Sequence, residues 1–599
     1  MKTRFLPLAA IITCSVHAAE LTSPGLLRSD SFGSSVSLSG DIGFVGAAGS
    51  LSSSGSAYIF RGLGPKTGDA TEVLKLTADD GAAGDLFGWS VSLSGGMGLV
   101  GARGDRVGSN NGQGSAYLFR GLDTEAGTLT QSAKLIAGDG TDSSLFGTSI
   151  SLSGNTAIIG AQNAGQGWDR VGAAYVYRNL NTASGTVIHD AKLMPSDGYD
   201  MDTFGASTAL SGDIALIGSP QADFMGAAYV YRNVSGRTGT TTEDLKLRPT
   251  DLAMVDFFGH ALSLQGNVAV VSSPADNARG VATSGSAYLF RDLDSGTGTR
   301  NESAKLVALD GQTNDRLGNS ISLSGSNVLI GAAWHDIGGK SNQGAAYLFT
   351  GLDSATGTIT ETAKVYASAG SASNEFGNSV SLAGDLFIIG EKLGDTTDTN
   401  TGKAYAGTVS SITTLDVGDA TRLISGISFE SRADWIIGRN TDYNNVKLTV
   451  GDTATLTDSS KVIAIGQNAG SDFNSLTVDG AINATTILIG AQGNSRNMLQ
   501  FSSSATFTAN LIILAAGNML SIEGDLTGDG ALEAYLDGTV LETRDTAGDV
   551  TTITSENQSE HLTSTYSSGY TTFTAIPEPS AMLLVFAGAA VAVGRRRRN

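Results

Sequence analysis

Short stretches in which polar and apolar residues alternate recur through the first 410 residues. A typical stretch is Ser149-Ile150-Ser151-Leu152-Ser153, whose period of two residues predicts a β-strand with one buried face. A fully apolar run such as Ala157-Ile158-Ile159 follows, and it predicts a second strand buried on both faces. Tight hairpins are expected between the two strands, with glycine supplying positive φ at Gly40, Gly154, Gly212, Gly266 and Gly384.

The pattern repeats seven times at spacings of 54 to 59 residues. Each unit adds an Ala-Tyr-Val-Tyr-like strand, as at residues 174–177, and an Ala-Lys-Leu-like strand, as at residues 191–193. Four short strands per unit predict an all-β fold, a seven-bladed β-propeller over residues 20–410. The units open with a Phe-Gly or Leu-Gly pair at Phe32, Phe87, Phe146, Phe204, Phe258, Leu317 and Phe376.

The seventh unit lacks a strand of the Ala-Lys-Leu type after Lys403-Ala404-Tyr405. Ala19-Glu20-Leu21 precedes Phe32 much as Leu74-Lys75-Leu76 precedes Phe87. The sequence therefore predicts that an N-terminal strand completes the seventh blade and closes the ring.

Phe-Gly at each blade start and Val/Ile-Gly-Ala at the end of the second strand resemble FG-GAP repeats, the blades of the integrin α-subunit propeller. The resemblance covers about residues 20 to 410 and implies an interaction platform. Several blades of that family carry an Asp-rich calcium loop between the first two strands, whereas this sequence has a tight Gly-Asp or Gly-Asn turn there. Calcium is therefore not expected in the blades.

After residue 410 the pattern changes to uneven units of about twenty to thirty residues. Stretches such as Val446-Lys447-Leu448-Thr449-Val450 and Ser475-Leu476-Thr477-Val478 predict a short β-solenoid at 411–542, with a β-sandwich as the alternative. Asp525, Thr527 and Asp529 resemble the start of a calcium loop, but Leu536 stands where its last acidic ligand belongs. Residues 543–575, rich in Thr and Ser, are interpreted as a linker.

The N-terminus has the pattern of a secretory signal peptide, residues 1–19. Lys2 and Arg4 precede an apolar stretch that ends at Val16-His17-Ala18-Ala19, and cleavage is expected after Ala18 or Ala19. A lipoprotein signal is disfavoured because Thr13 precedes Cys14. Cys14 is the sole cysteine, so the mature chain has no disulfide framework and no thiol nucleophile.

The C-terminal residues 576–599 resemble the PEP-CTERM sorting signal. Its three parts follow one another as Pro577-Glu578-Pro579, an apolar run at 581–593, and Arg595, Arg596, Arg597 and Arg598. The resemblance implies processing by a membrane-embedded exosortase and transfer to the surface or to an extracellular matrix. A hydrophobic helix over 581–594 would span only about 21 Å, which favours transient membrane contact over permanent anchoring. A short membrane anchor is the alternative.

Charge and composition narrow the range of partners. Removing the two positive charges of the leader and the four of the tail takes the net charge from −21 to −27, which argues against nucleic acid or an anionic membrane as ligand. The chain holds few histidines, in no spacing typical of a metal site or a catalytic triad. No cofactor is expected from these residues, and calcium at Asp525, Thr527 and Asp529 remains the open alternative.

A binding site is expected where the seven units differ. Residues found in every blade serve the blade, so the arginines that end the third strands are expected to pair with acidic neighbours: Arg61, Arg120, Arg178, Arg232 and Arg291. The variable loops between strands two and three share one rim with the loops between blades. Exposed tryptophan beside charge is suited to stacking on a sugar or anchoring a protein. The candidate rim residues are Arg103, Asp105, Trp168, Asp169, Trp334, His335 and Asp336.

Two functional hypotheses follow. The first is a non-enzymatic surface or matrix protein that uses the propeller to bind a glycan or protein. The alternative is a secreted carbohydrate-active enzyme with a carboxylate pair at the mouth of the propeller. Asp and Glu clustered at the axis would favour the enzyme, and an axis lined by repeated Ser, Gly and Val would favour the platform.

Overall fold

The chain divides into two compact units, His17–Val409 and a second unit that comprises Met1–Val16 with Ser410–Asn599. The computed structural model describes residues 14–16, 19–23, 26, 29–49, 54–64, 70–165, 169–367, 370–394 and 401–409, and beyond these the strands between 421 and 575. The sorting tail and most of the predicted signal peptide lie outside the described residues.

The unit His17–Val409 is the predicted seven-bladed β-propeller, with four antiparallel strands in each blade. The strands of blades 1 to 3, from the axis outward, are Phe32–Ser39, Ile42–Ala47, Ser56–Phe60 and Leu74–Thr77; Phe87–Ser94, Met97–Ala102, Ser115–Arg120 and Ala133–Ile136; and Phe146–Ser153, Thr156–Ala161, Ala173–Tyr177 and Ala191–Leu193.

The strands of blades 4 to 6 are Ser207–Ser211, Ile214–Ser219, Ala227–Arg232 and Leu245–Leu247; Leu262–Gln265, Val268–Ser273, Ser286–Phe290 and Ala304–Val307; and Ser320–Ser324, Asn327–Ala332, Ala345–Phe349 and Ala363–Ala367. Single 3₁₀ turns lie at Ala222–Phe224, Val234–Gly236, Ala278–Gly280 and Leu352–Ser354. The five turn glycines named from the sequence all have positive φ, between 57° and 61°.

The N-terminal strand closes the ring as the sequence predicts. Blade 7 contributes Phe376–Ala383, Leu386–Glu391 and Lys403–Thr408, and its fourth strand is Ala19–Thr22. Ala19, Glu20 and Leu21 pair antiparallel with Ala406, Tyr405 and Ala404. The side chain of Leu21 is buried, so the two ends of the propeller share one hydrophobic core.

Most blades gain a fifth strand that the sequence reading missed. A short segment ahead of each fourth strand pairs in parallel with the outer edge of the preceding blade, as Gly185–Ile188 does with Ala133–Ile136. Each such segment covers an edge that would otherwise be open to pairing with another chain. The others are Gly127–Thr130, Gly239–Thr241, Thr299–Arg300, Gly357–Thr360 and Ala70–Thr71.

The Phe of each Phe-Gly pair packs on the third strand of its own blade. The ring of Phe87 meets Tyr117 and Phe119 with centroids 5.5 and 6.0 Å apart, in tilted and edge-to-face contacts. All three side chains are buried in one hydrophobic cluster. The repeated Phe is therefore explained by the core of the blade.

Serines and glycines join neighbouring blades around the axis. Between blades 2 and 3, Ser90 Oγ donates to Gly147 O at 2.8 Å, and Ser92 Oγ accepts from Leu152 N at 2.9 Å. A Cβ added to Gly101 would lie 2.3 Å from Gly147 O, so the blade contact requires glycine there. The alternating serines of the innermost strands therefore tie one blade to the next.

The arginines that end the third strands serve the structure, but the partners of their guanidinium groups seen at all five positions are backbone carbonyls and not the acidic side chains expected from the sequence. Arg120 Nε and Nη2 donate to Leu180 O in the next blade, at 3.0 and 2.6 Å. The other four likewise donate to backbone carbonyls one blade further on. The planar guanidinium fits carbonyls that converge at a turn, whereas the acidic Asp190 and Asp244 accept from the backbone N–H of Arg178 and Arg232.

The second unit contains strands in two sheets. One holds Thr421–Leu423, Lys447–Val450, Ser475–Val478, Met498–Phe501 and Met519–Glu523, which pair in parallel, followed by the hairpin Leu562–Ser567 and Tyr570–Ala575. The other holds Trp435–Ile437, Thr455–Ile465, Ala481–Ile489, Thr506–Ala515 and Val540–Arg544 in parallel, then Val550–Ile553. Cys14–Val16 and Ile427–Ser431 pair antiparallel.

The segments between these strands lie outside the described residues, so the β-solenoid stays a prediction. The three last strands fall within 543–575, which the sequence analysis interprets as a linker. Their Thr, Tyr and Phe residues favour β-structure, which explains strands in a segment that looks polar. In the part of the chain that is described, no helix has the length and apolar character needed to cross a membrane.

Candidate functional site

Hydrogen bonds join the loops within blades to the loops between blades along one rim of the propeller. Met201 N, ahead of blade 4, donates to Arg170 O in the loop of blade 3 at 3.1 Å. Val255 N, ahead of blade 5, donates to Phe224 O in the loop of blade 4 at 2.7 Å. The two sets of variable loops therefore form one continuous surface.

A repeated network of charges lies beneath this rim. Lys134 Nζ pairs with Asp80 at 2.6 Å and with Asp105 at 2.7 Å. Tyr117 donates its hydroxyl to Asp80 at 2.9 Å, and Ser115 donates to Asp105. Lysine-aspartate pairs recur as Lys192 and Asp139, Lys246 and Asp197, Lys305 and Asp251, and Lys364 and Asp310.

Electrostatic effects keep these groups charged. Burial alone would raise the pKa of Asp80, but hydrogen bonds from Lys134 and Tyr117 outweigh it and hold that pKa below its ordinary value. Burial opposes protonation of Lys134, yet hydrogen bonds to Asp105 and Asp80 raise the pKa of the lysine. The carboxylates of this network therefore belong to the structure of the blades.

Arg103 and Asp105, two of the predicted rim residues, are engaged within the protein. The guanidinium of Arg103 stacks on Trp89, with its carbon 3.1 Å from the ring centroid, and burial lowers the arginine pKa to about 10. Asp105 is 4% exposed and lies in the network with Lys134. Residues 103–105 form an Arg-Gly-Asp tripeptide, a sequence known as an integrin ligand, but with both charged side chains engaged it is not displayed at the surface.

Trp334, His335 and Asp336 have three different environments. Trp334 is 36% exposed and stacks on Arg316, whose guanidinium carbon lies 3.8 Å from the ring centroid. His335 is buried, with Nδ1 2.8 Å from Asp315 Oδ2. Asp336 is exposed and accepts from Asn342 N at 2.8 Å, which fixes its own loop. Of these three, Trp334 presents an aromatic face at the surface.

Most of the remaining predicted site residues lie outside the described part of the chain. Asp169 is exposed, while Trp168 and the candidate calcium residues Asp525, Thr527 and Asp529 lie outside the described residues. The sorting-motif residues 577–579 and 595–598 also lie outside them. Within the described part of the chain, no group of three or more His, Cys, Asp or Glu is placed to hold a metal ion.

The structure reveals an apolar surface that the sequence analysis missed. Seven of the nine exposed large hydrophobic residues among those described lie on the rim loops between blades 3 and 6. Such residues are individually common on surfaces, but their concentration on one rim makes this rim the candidate interaction surface. We call this set the rim patch: Tyr199, Met201, Phe224, Met254, Val255, Phe257 and Trp334.

Four residues of the rim patch, Met201, Phe224, Val255 and Phe257, have positive φ, which is unfavourable for residues other than glycine. The residue three places before each Phe-Gly pair has positive φ in the described loops, and most blades place Ser, Asn or Gly there: Ser29, Gly84, Ser143, Asn314 and Ser373. Blades 4 and 5 place Met201 and Val255 there, at φ of 64° and 63°. For a β-branched residue such as Val255 this conformation is an outlier, and strain of this kind concentrates at functional sites.

A pocket of about 230 Å³ opens beside the rim patch, around blade 5. Phe257, Pro220, Pro274 and Ala275 form apolar walls, while Gln221, His260, Arg316 and Asn319 supply polar groups. The side chain of His260 lies at the surface of the pocket and is surrounded by its walls. Loss of hydration between these walls, together with the positive charge of Arg316, lowers the pKa of His260. The stack of Arg316 on Trp334 links the pocket to the rim patch.

A column-by-column comparison of the seven loops would have found this region. Blade 5 is preceded by Leu252-Ala253-Met254-Val255-Asp256-Phe257, whereas blade 3 is preceded by Gly140-Thr141-Asp142-Ser143-Ser144-Leu145. Tryptophan beside charge was the criterion for the candidate rim residues, so loops that carry apolar residues without tryptophan were not selected. Apolar side chains at turn positions were the overlooked signal.

The innermost strands of the seven blades, which lie nearest the axis, contain no Asp or Glu within the bounds described above. They are rich in Ser, Val, Ile and Leu, and their other uncharged polar side chains are Thr148, Thr208, Gln265 and Asn378. The enzyme hypothesis, which needs a carboxylate pair at the mouth, gains no support from these strands.

Comparison with known proteins identifies the repeats. The FG-GAP repeat family model matches residues 16–60, 70–119, 129–177, 188–231, 241–290, 301–349 and 359–406. These seven segments cover more than half of the chain and follow its seven blades. No curated protein matches the chain.

Proposed function

The chain belongs to the FG-GAP repeat family, and from this we propose that it is an exported, non-enzymatic surface or matrix protein whose propeller rim binds a glycan or protein ligand. The rim patch carries the proposal. It is confined to the loops that differ between blades, while the repeated serines, arginines and Lys-Asp pairs are all explained by the fold.

Two features of the ends support the extracellular part of the proposal. The leader pattern of residues 1–19 and the Pro577-Glu578-Pro579 tail fit export followed by exosortase-type sorting. The C-terminal peptide of the exported protein, read by mass spectrometry, tests this. We expect it to end near the Pro-Glu-Pro motif, and recovery of the tail through Asn599 from the mature protein would contradict processing.

Binding at the rim is tested with a triple variant of the full-length chain, Phe224→Ser, Met254→Ser and Phe257→Ser. Ile188→Ser is the matched control because Ile188 is equally apolar and 61% exposed but lies on an outer strand of blade 2. The measurement is binding to a glycan array and to a panel of purified surface proteins. We expect the wild type and the control to bind the same ligands and the triple variant to lose them.

The proposal fails if the wild type binds nothing on either panel, or if the triple variant and the control behave alike. A separate variant, Trp334→Ala, tests the edge of the rim patch on the same glycan array and protein panel. Loss of glycan signals alone in that variant supports a stacked sugar at this edge, since the aromatic face is its exposed feature. Thermal unfolding of each variant checks that the propeller remains folded.

A further inference from the structure

The boundary between blades 5 and 6 departs from the pattern that joins the other blades. At six boundaries a serine hydroxyl of the innermost strand donates to the glycine carbonyl of the next blade: Ser35, Ser90, Ser149, Ser207, Ser320 and Ser379. In blade 5 this position is Ala261, which has no hydroxyl to donate.

A second change accompanies the first. Ser272 stands in blade 5 where other blades have a glycine such as Gly101 or Gly331. Ser272 Oγ accepts from Ala261 N within its own blade at 2.8 Å. The side chain of Ser272 therefore occupies the space in which the backbones of neighbouring blades come close together at the other boundaries. The pocket lies beside this altered boundary.

Arg316 brings an unneutralised positive charge to the pocket. Its Nε–H is buried without a hydrogen-bond partner, and no described carboxylate forms an ion pair with its guanidinium. The neighbouring Asp315 is directed to His335, at 2.8 Å. Desolvation lowers the pKa of Arg316, as expected for a cation whose partner is missing.

Stacking on Trp334 orients this guanidinium. One face lies on the indole at 3.8 Å and Nε is buried, so the two Nη groups are the donors left for a planar acceptor. A carboxylate is the planar anion that matches two parallel N–H donors. The charge and geometry of Arg316 therefore select a carboxylate ligand.

The rest of the lining indicates what carries that carboxylate. Phe257, Pro220 and Pro274 offer apolar faces, while Gln221 and His260 have side-chain polar groups that no hydrogen bond within the described chain engages. An aspartate or glutamate side chain would leave these groups without partners, whereas a sugar ring presents several hydroxyls and an apolar C–H face. At about 230 Å³ the pocket is smaller than typical drug-binding pockets, which suits a single ring.

We propose that this pocket binds a sugar acid, a single hexuronate residue of a glycan, whose carboxylate pairs with Arg316. The negative net charge of the chain disfavours an extended polyanion, but it leaves room for one carboxylate at a local cation. The inference rests on the proposed function of the rim and specifies its ligand. The ring packs against Phe257 and its hydroxyls bond to Gln221 and His260. A neutral sugar can accept hydrogen bonds from Arg316 but leaves its positive charge without a counter-ion, so the site discriminates by charge.

Calorimetry of the full-length chain with a galacturonate trimer tests the proposal. The methyl-esterified trimer, which lacks the charge, and acetate, which lacks the sugar ring, are measured for comparison. We expect the acidic trimer to bind and its ester to bind at least tenfold more weakly. Arg316→Gln should reduce affinity for the acid by a similar factor. Arg103→Gln is the matched control because it removes an arginine stacked on a tryptophan in blade 2, and it should leave binding unchanged.

Phe257→Ala provides a second variant if Arg316→Gln fails to fold, and it should also weaken binding. Equal binding of acid and ester, or equal effects of the two arginine variants, would overturn the proposal. Preference for a peptide ending in glutamate over the trimer would overturn the sugar assignment. If no acidic ligand binds while the triple rim variant still loses its array ligands, this inference fails and the proposed function stands.

Discussion

At the scale of single residues, the rim patch places apolar side chains where the backbone is unfavourable for them. The left-handed conformation at Met201 and Val255 comes from the blade, since serine, asparagine or glycine takes it at the same position elsewhere. Val255 is also 59% exposed, so it gains little from burial. Contact with the proposed rim ligand would bury this side chain and offset the strain.

We therefore expect Val255→Asn to stabilise the free protein while weakening ligand binding at the rim. Asparagine tolerates the left-handed region, and relief of the strain should add about 1 kcal/mol to the free energy of unfolding. Denaturant unfolding measures this, with Ile188→Asn as the control, an exposed strand residue without positive φ. Equal stability changes in both variants would show that Val255 is not strained.

Glu391 is a second residue whose environment is unusual. It is 1% exposed in blade 7, where Tyr405 and Asn374 each donate to it at 2.8 Å. Burial raises the pKa of Glu391 to about 7, against the lowering effect of these hydrogen bonds. A carboxyl group thus takes up a proton near neutral pH at the blade that closes the ring.

Because the pKa of Glu391 is higher in the folded than in the unfolded chain, its contribution to stability is fully present below pH 4.5 and is lost as the pH rises through about 7. The loss is on the order of 3 kcal/mol. Glu391→Gln should remove this dependence and be more stable than the wild type at pH 8. Glu302→Gln, a half-buried carboxylate that accepts from Thr250, is the control.

Thermal unfolding at pH 5, 6, 7 and 8 compares the three proteins. Glu302→Gln should follow the pH profile of the wild type. Parallel profiles for Glu391→Gln and the wild type would contradict a raised pKa at Glu391.

At the scale of elements, two residues of blade 5 that differ from the repeat alter one boundary between blades. Six boundaries have both the donating serine and the close approach of glycine, and the boundary after blade 5 has Ala261 and Ser272 instead. The pocket lies beside that boundary. Stability and binding are therefore expected to oppose each other there.

Restoring the repeat pattern with Ala261→Ser and Ser272→Gly tests this opposition. The new serine can donate to Gly318 O, and the blades can approach more closely, so the double variant should be about 1 kcal/mol more stable. Its affinity for the galacturonate trimer should fall. Ser92→Ala, which leaves Leu152 N without its acceptor in blade 3, is the opposite control and should be less stable with binding unchanged.

At the scale of the whole molecule, features that recur every 54 to 59 residues were predictable from the sequence. The blade number, the hairpin glycines and the closing strand follow from repetition, because each blade is built by the same local rules. The fifth strands were missed because they pair between repeats and have little pattern of their own. The pocket and the rim patch arise at positions where a blade departs from the repeat. Their shape depends on how three neighbouring blades pack together, and the sequence pattern alone does not give that packing.

Closure by Ala19–Thr22 makes the propeller depend on its first strand. Leu21 is 1% exposed among the core residues of blades 7 and 1, so Leu21→Asp places a charge in that core. The variant should lose several kcal/mol of stability, about 3 or more, because Lys403, the cation of the strand pair, lies on the opposite face beside Glu20. Glu20→Gln removes the 3.2 Å ion pair with Lys403 but keeps the strand, and it should cost at most about 1 kcal/mol. Proteolysis resistance and denaturant unfolding of the full-length chain measure both effects. If Leu21→Asp were as stable as Glu20→Gln, the N-terminal strand would not be what holds the ring closed.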